Sequence, residues 1–155
     1  MNSPDSRGFP SQPYSRDLDA ALAAMSFELV PGRFALLGTS APPTAAELEH
    51  LGDGPSQLVV EGGETTWLVA EDRVAALLDA HPEAQVERGL AWLRFVAPMG
   101  WEVVGFLARV TGSLAAAGVP LGAVCGFSRD HLFVHEDHLE RTLEVLRAEF
   151  PESTR

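Results

Sequence analysis

The feature that most constrains the fold is an internal repeat in a chain of 155 residues. Trp67–Asp72 (WLVAED) aligns with Leu132–Asp137 (LFVHED) at an offset of 65 residues, which is 137 minus 72. Arg33–Phe34 aligns with Arg94–Phe95 at an offset of 61, which is 94 minus 33. The four-residue difference is about one helical turn, so a duplication whose first copy lost one turn of a helix explains both offsets. Chance similarity is the weaker interpretation, because both copies end in the same Glu-Asp pair.

The hydrophobic pattern predicts the order β-α-β-β-α in each copy. The first copy has predicted strands at 33–38, 57–60 and 65–70, a short helix at 44–51 and a helix after Asp72. The second has predicted strands at 90–97, 119–127 and 131–135, a helix from Val103 and a helix after Asp137. Asp72 and Asp137 are expected to cap their helices, and Pro31–Gly32 is expected to form a turn.

A sheet of the ferredoxin type needs a fourth strand in each copy. Residues 84–88 are expected to supply it for the first copy, and Phe27–Val30, from the N-terminal side, for the second. The sequence therefore predicts an α+β fold of two tandem ferredoxin-like (βαββαβ) halves, with antiparallel sheets and with the helices packed on one face. The expected boundaries are a flexible tail at 1–16, a first half with an N-terminal helix at 17–88, a second half at 89–150 and a tail at 151–155.

Charge and cysteine content exclude several classes of protein. The net charge of −11 argues against a nucleic-acid partner, because an acidic surface repels phosphate backbones. Lysine is absent, which excludes a Schiff-base lysine and a P-loop. Cys125 is the single cysteine and lies in an apolar stretch, so an inert thiol and no internal disulfide are expected. With no membrane-length apolar run and no signal-like N-terminus, the chain is expected to be cytoplasmic and to have no membrane partner.

Five stretches resemble the ACT domain family, and in particular small bacterial ACT-like proteins related to CASTOR-type arginine sensors. They are Asp17–Met25, Glu28–Gly32, Glu61–Thr65, Glu102–Gly105 and Gly126–Val134, of which the last is the most specific. The resemblance implies two ACT-like halves in a regulatory protein that binds an amino acid or a similar small metabolite. It further implies a homodimer that uses no cofactor and is not an enzyme.

Two positions depart from the pattern of that family. Pro98–Trp101 stands where small hydroxyl residues are usual, in a loop that often contacts ligand in ACT domains. His135 stands where a proline is expected after Phe-Val. The first departure bears on which ligand the loop would accept.

Ten residues are candidates for a ligand site: Met99, Gly100, Trp101, Glu102, Val103, Gly105, Gly126, Phe127, Asp130 and Glu61. The loop that begins at Met99 leads into a predicted helix, whose free N–H groups and positive dipole end favour a carboxylate. The glycines of that loop allow close backbone approach, and Glu102, Asp130 or Glu61 would pair with an ammonium or guanidinium group. The alternative is that the glycines serve turn geometry and that Glu102 is a first-turn helix charge.

The sequence is also compatible with two other functions. One is a ligand-free protein-interaction or assembly module, which predicts a flat apolar patch. The other is a metal-dependent enzyme built on His131, His135 and His138 with their neighbouring carboxylates. His131 and His135 would lie about 13 Å apart on a strand, and HExxH and CxxC motifs are absent, so solvated histidines are favoured over a metal site. No nucleophile elbow, Rossmann or P-loop pattern supports catalysis.

Overall fold

The computed structural model of the protein describes residues 17–52 and 54–151. The α-helices are α1 (Leu18–Ala24), α2 (Val74–Ala80), α3 (Phe106–Ala116) and α4 (Glu136–Glu149). The strands are β1 (Phe27–Thr39), β2 (Gln57–Glu61), β3 (Glu64–Ala70), β4 (Gln85–Phe95), β5 (Gly122–Cys125) and β6 (Asp130–His135). Short 3-10 helices cover Glu47–Leu51 and Glu71–Arg73. The predicted tails at 1–16 and 151–155 lie outside the described residues, apart from Pro151.

The prediction of an α+β protein is confirmed, and the chain divides into two compact units. In the unit Pro31–Ala91, the strands are hydrogen-bonded in the order β2-β3-β1-β4, and β3 is antiparallel to both neighbours. The second unit combines the described residues up to Val30 with those from Trp92 onward, and its order is β1-β4-β6-β5, with β5 antiparallel to β6. None of the helices in the described part of the chain is long and apolar enough to cross a bilayer.

The compact units do not coincide with the expected halves, 17–88 and 89–150. Helix α1 and the first residues of β1 belong to the same unit as α3 and α4. The N–H of Val96 donates to the carbonyl of Ser26 at 2.8 Å, and Arg94 forms an ion pair with Glu28, so Phe27–Val30 lies beside the end of β4. The boundaries between the two units lie inside the continuous strands β1 and β4, whereas the expected boundary lay between two separate strands.

Three local predictions were wrong. Pro31–Gly32 is not a turn, because Gly32 adopts a φ of 105° that only glycine tolerates well and β1 continues through it. Helix α3 begins at Phe106 and not at Val103. Asp72 and Asp137 are not caps: Asp72 lies within a 3-10 helix, and Asp137 lies in the first turn of α4. Acidic residues stabilise a first turn through the helix dipole, which produces the same sequence signal as a cap.

The core of the unit Pro31–Ala91 forms where one face of the β1–β3 pair meets α2. Its buried members are Ala35, Leu37, Trp67, Val69, Val74 and Leu77. The Trp67 indole satisfies its N–H by donating to the Thr39 hydroxyl at 3.2 Å, so the largest side chain of this cluster leaves no unpaired polar atom.

A buried contact between Glu47 and His81 holds the 3-10 helix at Glu47 in this same unit. The Glu47 carboxylate accepts from the backbone N–H of Thr44 at 2.7 Å, and the Thr44 hydroxyl accepts from the N–H of Glu47 at 3.3 Å, which is a capping box. Glu47 Oε1 also lies 2.5 Å from His81 Nε2. The bonds from Thr44 and His81 outweigh the desolvation of the carboxylate and lower the pKa of Glu47.

The core of the second unit is aromatic. Phe95 ends β4, Phe106 begins α3, and Phe150 follows the end of α4, and all three are buried. The rings of Phe95 and Phe106 meet edge to face at 5.1 Å between centroids, and Phe150 lies 5.8 Å from Phe95 and 6.2 Å from Phe106. These contacts fix the end of β4 against the start of α3.

Replacing Phe106 by alanine should lower the free energy of unfolding by about 3–5 kcal/mol, because it removes a buried ring and leaves a cavity. Phe127→Ala is the matched control and should change stability by no more than about 0.5 kcal/mol, since Phe127 is exposed. Urea unfolding followed by circular dichroism measures both values. Equal effects of the two substitutions would contradict the proposed core.

Glu47→Gln should destabilise the protein at pH 7 by about 1–3 kcal/mol, because it weakens the charged hydrogen bonds to Thr44 and His81. The folded pKa of Glu47 is below its unfolded value, so its contribution is complete above about pH 4.3 and is lost as the pH falls through the folded pKa. The difference in free energy of unfolding between wild type and Glu47→Gln, measured with urea, should therefore decrease in acid. A difference that is constant from pH 7 to pH 3 would refute the assignment.

Candidate ligand site

A cavity of about 270 Å³ lies in the second unit between two chain segments. One segment is the connection from β4 to α3 with the first turn of α3, and it contributes Met99, Gly100, Trp101, Val103, Gly105, Phe106, Leu107 and Ala108. The other is the β5–β6 hairpin, which contributes Cys125, Gly126, Phe127, Ser128, Arg129 and Asp130. The cavity is therefore built from a helix N-terminus on one side and a tight hairpin on the other.

The first wall ends in a helix start that has no side-chain cap. Gly105 is the N-cap residue, its φ is 97°, and no side chain there accepts a bond from the first turn. The first intrahelical bond runs from the N–H of Arg109 to the carbonyl of Gly105 at 2.9 Å. The N–H groups of Phe106, Leu107 and Ala108 precede that bond, so the helix geometry gives them no intrahelical acceptor. All three residues line the cavity.

The second wall is held by bonds of the hairpin. The N–H of Gly126 donates to the carbonyl of Arg129 at 2.8 Å and closes the turn. A Cβ at position 126 would lie 3.0 Å from that carbonyl oxygen, so only glycine fits without a shift of the backbone. Arg129 Nε donates to the carbonyl of Val96 at 3.1 Å and thereby joins the hairpin to the loop that forms the first wall.

Two charged side chains line the cavity, Arg129 and Asp130. Desolvation, followed by the neighbouring Asp130 carboxylate, raises the pKa of Cys125, so its thiol stays protonated at neutral pH. Burial and then Arg94 and Arg129 lower the pKa of His131, with Asp130 opposing them, so that imidazole stays neutral. Its Nδ1 accepts from the Trp92 indole at 3.0 Å. The cavity thus presents one cation and one anion.

Eight of the ten residues that the sequence predicted for the site line this cavity. Glu102 lies in the same loop but does not line it, and because α3 begins at Phe106, Glu102 is not a first-turn helix charge either. Glu61 ends β2 in the unit Pro31–Ala91 and does not line the cavity. Sequence reasoning missed Arg129, although it lies directly before the predicted Asp130, and it missed the first turn of α3.

Large apolar side chains are exposed around this cavity. Trp101 is 94% exposed, Phe127 is 84% exposed, and Val104, between them in sequence, is 83% exposed. Trp101 and Phe127 also line the cavity, one from each wall. Clusters of exposed aromatic residues are uncommon on monomers and mark binding surfaces.

The histidines of the second repeat do not form a metal cluster. In the ranges 17–52 and 54–151, no three His, Cys, Asp or Glu side chains come close enough to hold a metal ion. His131 is instead engaged by the Trp92 ring, edge to face at 5.5 Å between centroids.

Comparison with known proteins bears on both walls of the cavity. Residues 85–148 match the sequence model of the ACT domain. This segment runs from the start of β4 almost to the end of α4 and contains every residue that lines the cavity. The comparison with curated proteins gives no significant match.

Solved structures share the fold over most of the chain. A protein from Agobacterium tumefaciens is 20% identical, with a TM-score of 0.67 over 81% of this chain and 88% of that chain. A Vibrio cholerae protein of unknown function, described as a possible transport protein, is 18% identical, with a TM-score of 0.62 over 83% and 91%. The ligand-free regulatory subunit of aspartate kinase from Thermus thermophilus is 13% identical, with a TM-score of 0.59 over 81% and 97%. These likenesses establish an ACT-like, ferredoxin-type α+β fold.

Gly105→Ala should destabilise the protein by about 1–2 kcal/mol, because alanine is strained at a φ of 97° and its Cβ would lie 3.4 Å from Leu18. Gly112→Ala is the matched control within α3. It has open space around the new Cβ and should stabilise the helix by about 0.5–1 kcal/mol. Thermal and urea unfolding measure the change in stability that each of the two substitutions causes. Stabilisation by Gly105→Ala would show that the left-handed helix start is wrong.

Proposed function

We propose that this protein is a regulatory small-molecule-binding protein of the ACT family, with two ACT-like halves, and that its cavity binds a free amino acid or a similar metabolite. One observation carries the proposal: a single cavity combines an uncapped helix N-terminus with an acidic side chain. The match of residues 85–148 to the ACT domain supports it, as does the likeness to a regulatory subunit of aspartate kinase.

The helix N-terminus supplies the site for a carboxylate. The N–H groups at the start of α3 lack intrahelical acceptors, and the dipole of this 11-residue helix places partial positive charge beside them. Gly105 carries no side chain that would cover them. A carboxylate bound there gains charge-assisted hydrogen bonds to backbone donors that are already positioned.

Asp130 supplies the site for an ammonium group. It begins β6 opposite Cys125, and the pairing of these two residues in the hairpin fixes the position of its backbone. A carboxylate and a set of N–H donors in one cavity complement an amino-acid zwitterion, whose ammonium and carboxylate groups are bonded to the same carbon. The cavity of about 270 Å³ is slightly smaller than the sites of drug-sized ligands and suits a small metabolite.

The proposed role is regulatory and not catalytic. In the cavity wall the Cys125 thiol is hydrogen-bonded to the Asp130 carboxylate, but desolvation and this carboxylate raise the pKa of the thiol, so it stays protonated at neutral pH and is a poor nucleophile. Ligand binding would bridge the β4–α3 connection and the β5–β6 hairpin and would stabilise both. We place this activity in the cytoplasm, where free amino acids are available and the single cysteine stays reduced.

A thermal-shift screen of the twenty proteinogenic amino acids tests the proposal. An amino acid at a hundredfold excess over its Kd should stabilise the protein by about 2.7 kcal/mol, which raises Tm by several degrees. Asp130→Asn should weaken binding of that amino acid about 10- to 100-fold, through loss of a charged hydrogen bond. Glu61→Gln, a matched carboxylate outside the cavity, should leave the shift unchanged. No shift with any amino acid would sink the proposal.

The second candidate function is a ligand-free interaction or assembly module, and the exposed aromatic residues Trp101 and Phe127 favour it. These side chains would be covered in a homodimer, which is the oligomeric state that we propose for this protein. Trp101→Ala combined with Phe127→Ala should then shift the species seen in sedimentation velocity from dimer to monomer. Because both residues are exposed, the variant should stay folded. An unchanged sedimentation coefficient would refute a dimer formed through this surface.

A further inference from the structure

Arg129 lies in the wall of the cavity, and its charge is not used in an ion pair with a carboxylate of the described residues. Elsewhere in the described residues, arginines form ion pairs with carboxylates: Arg73 with Asp72, Arg94 with Glu28, Arg109 with Glu149, and Arg141 with Glu144. Arg129 has no such carboxylate partner in the described ranges, although the chain carries a net charge of −11. Among the residues that line the cavity, Arg129 is the one that carries a positive charge, and no carboxylate of the described residues neutralises it.

Arg129 is nevertheless held in place. Its Nε donates to the carbonyl of Val96 at 3.1 Å, which ties the side chain to the residue directly after β4. This bond uses one edge of the guanidinium, and the two Nη groups bond to no residue that the structure describes. They form the planar fork that matches the two oxygens of a carboxylate. Because Nε is already bound, less side-chain freedom is lost when the fork binds an anion.

The surroundings keep this charge available. His131 is the neighbouring titratable group on β6, and its lowered pKa leaves it neutral, so it adds no competing cation. Asp130 lies on the same hairpin and lines the same cavity, but it forms no ion pair with Arg129 in the described ranges. The positive and negative groups of the wall are therefore separate and can bind separate groups of one ligand.

We propose that Arg129 binds a carboxylate of the ligand and selects carboxylic acids over their neutral analogues. This inference rests on the proposed function, since it assigns a role within the same cavity. The carboxylate is either the α-carboxylate, shared with the start of α3, or a second carboxylate on an acidic side chain. In both cases the guanidinium binds a carboxylate. Amides of the α-carboxylate and amides of the side-chain carboxylate distinguish the two cases.

The test is isothermal titration calorimetry of the full chain with the twenty proteinogenic L-amino acids and their α-carboxamides. Asparagine and glutamine serve as the side-chain amides of aspartate and glutamate. Replacing the bound carboxylate by an amide should weaken binding to the wild type about 10- to 100-fold. Arg129→Gln should weaken binding of the acid by a similar factor and leave the affinity for the amide unchanged. Arg129→Lys keeps the positive charge but not the planar fork, so its affinity for the acid should lie between those of the wild type and Arg129→Gln.

Arg141→Gln is the matched control, because Arg141 is an exposed arginine on α4 away from the cavity lining, and it should bind as the wild type does. If Arg129→Gln lowers the affinity for acid and amide equally, Arg129 only supports the loop through Val96, and the inference is overturned while the proposed function stands. Unchanged affinity for the acid overturns it as well. If no amino acid binds the wild type, the proposed function fails, and the inference fails with it.

Discussion

The edge-to-face contact between Phe95 and Phe106 determines the geometry of the candidate site. These rings are the last residue of β4 and the first residue of α3, so their contact fixes both ends of the connection from 96 to 105. Phe150 packs on both rings and adds the end of α4 to the same cluster. The connection must close between two fixed points, and Gly105 makes this possible through its left-handed backbone. The helix N-terminus that results is open towards the cavity.

The hairpin across the cavity depends on a different set of interactions. Gly126 closes the turn with Arg129, and Arg129 joins the turn to the carbonyl of Val96. One hydrogen bond therefore links the two walls and also orients the guanidinium. Arg129 thus makes a structural contact and a proposed ligand contact. Loss of binding in Arg129→Gln would not separate these two roles, whereas a comparison of acids with amides does. The exposed rings of Trp101 and Phe127 add an apolar surface that either a ligand or a second subunit would cover.

The sequence predicted the elements more accurately than their boundaries. Hydrophobic periodicity and the repeat predicted a strand wherever the structure has one, but they divided β1 at Pro31–Gly32 and made the start of β4 a separate strand at 84–88. The resemblance to the ACT family and the chemistry of the loop grouped Met99 with Asp130 in one candidate site. The periodicity of Val103, Leu107, Val110 and Leu114 placed the start of α3 three residues too early, because a loop residue in register with a helical stripe cannot be told from a helical one. Pro31–Gly32 carries a strong turn signal, but β1 continues through it as one strand of 13 residues, which pairs with β3 from Phe34 onward. Glu61 was included among the candidate site residues because it is acidic, and acidity does not indicate where a residue lies in the fold.

The central claim is that a small zwitterion binds between the start of α3 and the β5–β6 hairpin. Nitrogen-15 NMR titration of the assigned protein with individual amino acids tests this most directly, because each backbone amide reports separately. The account predicts saturable shifts with one amino acid or a few similar ones, largest at Phe106, Leu107 and Ala108 and at Gly126–Asp130. Amide signals of the Glu61–Glu64 hairpin should not move. Shifts centred on that hairpin, or no saturable shift with any amino acid, would contradict the account.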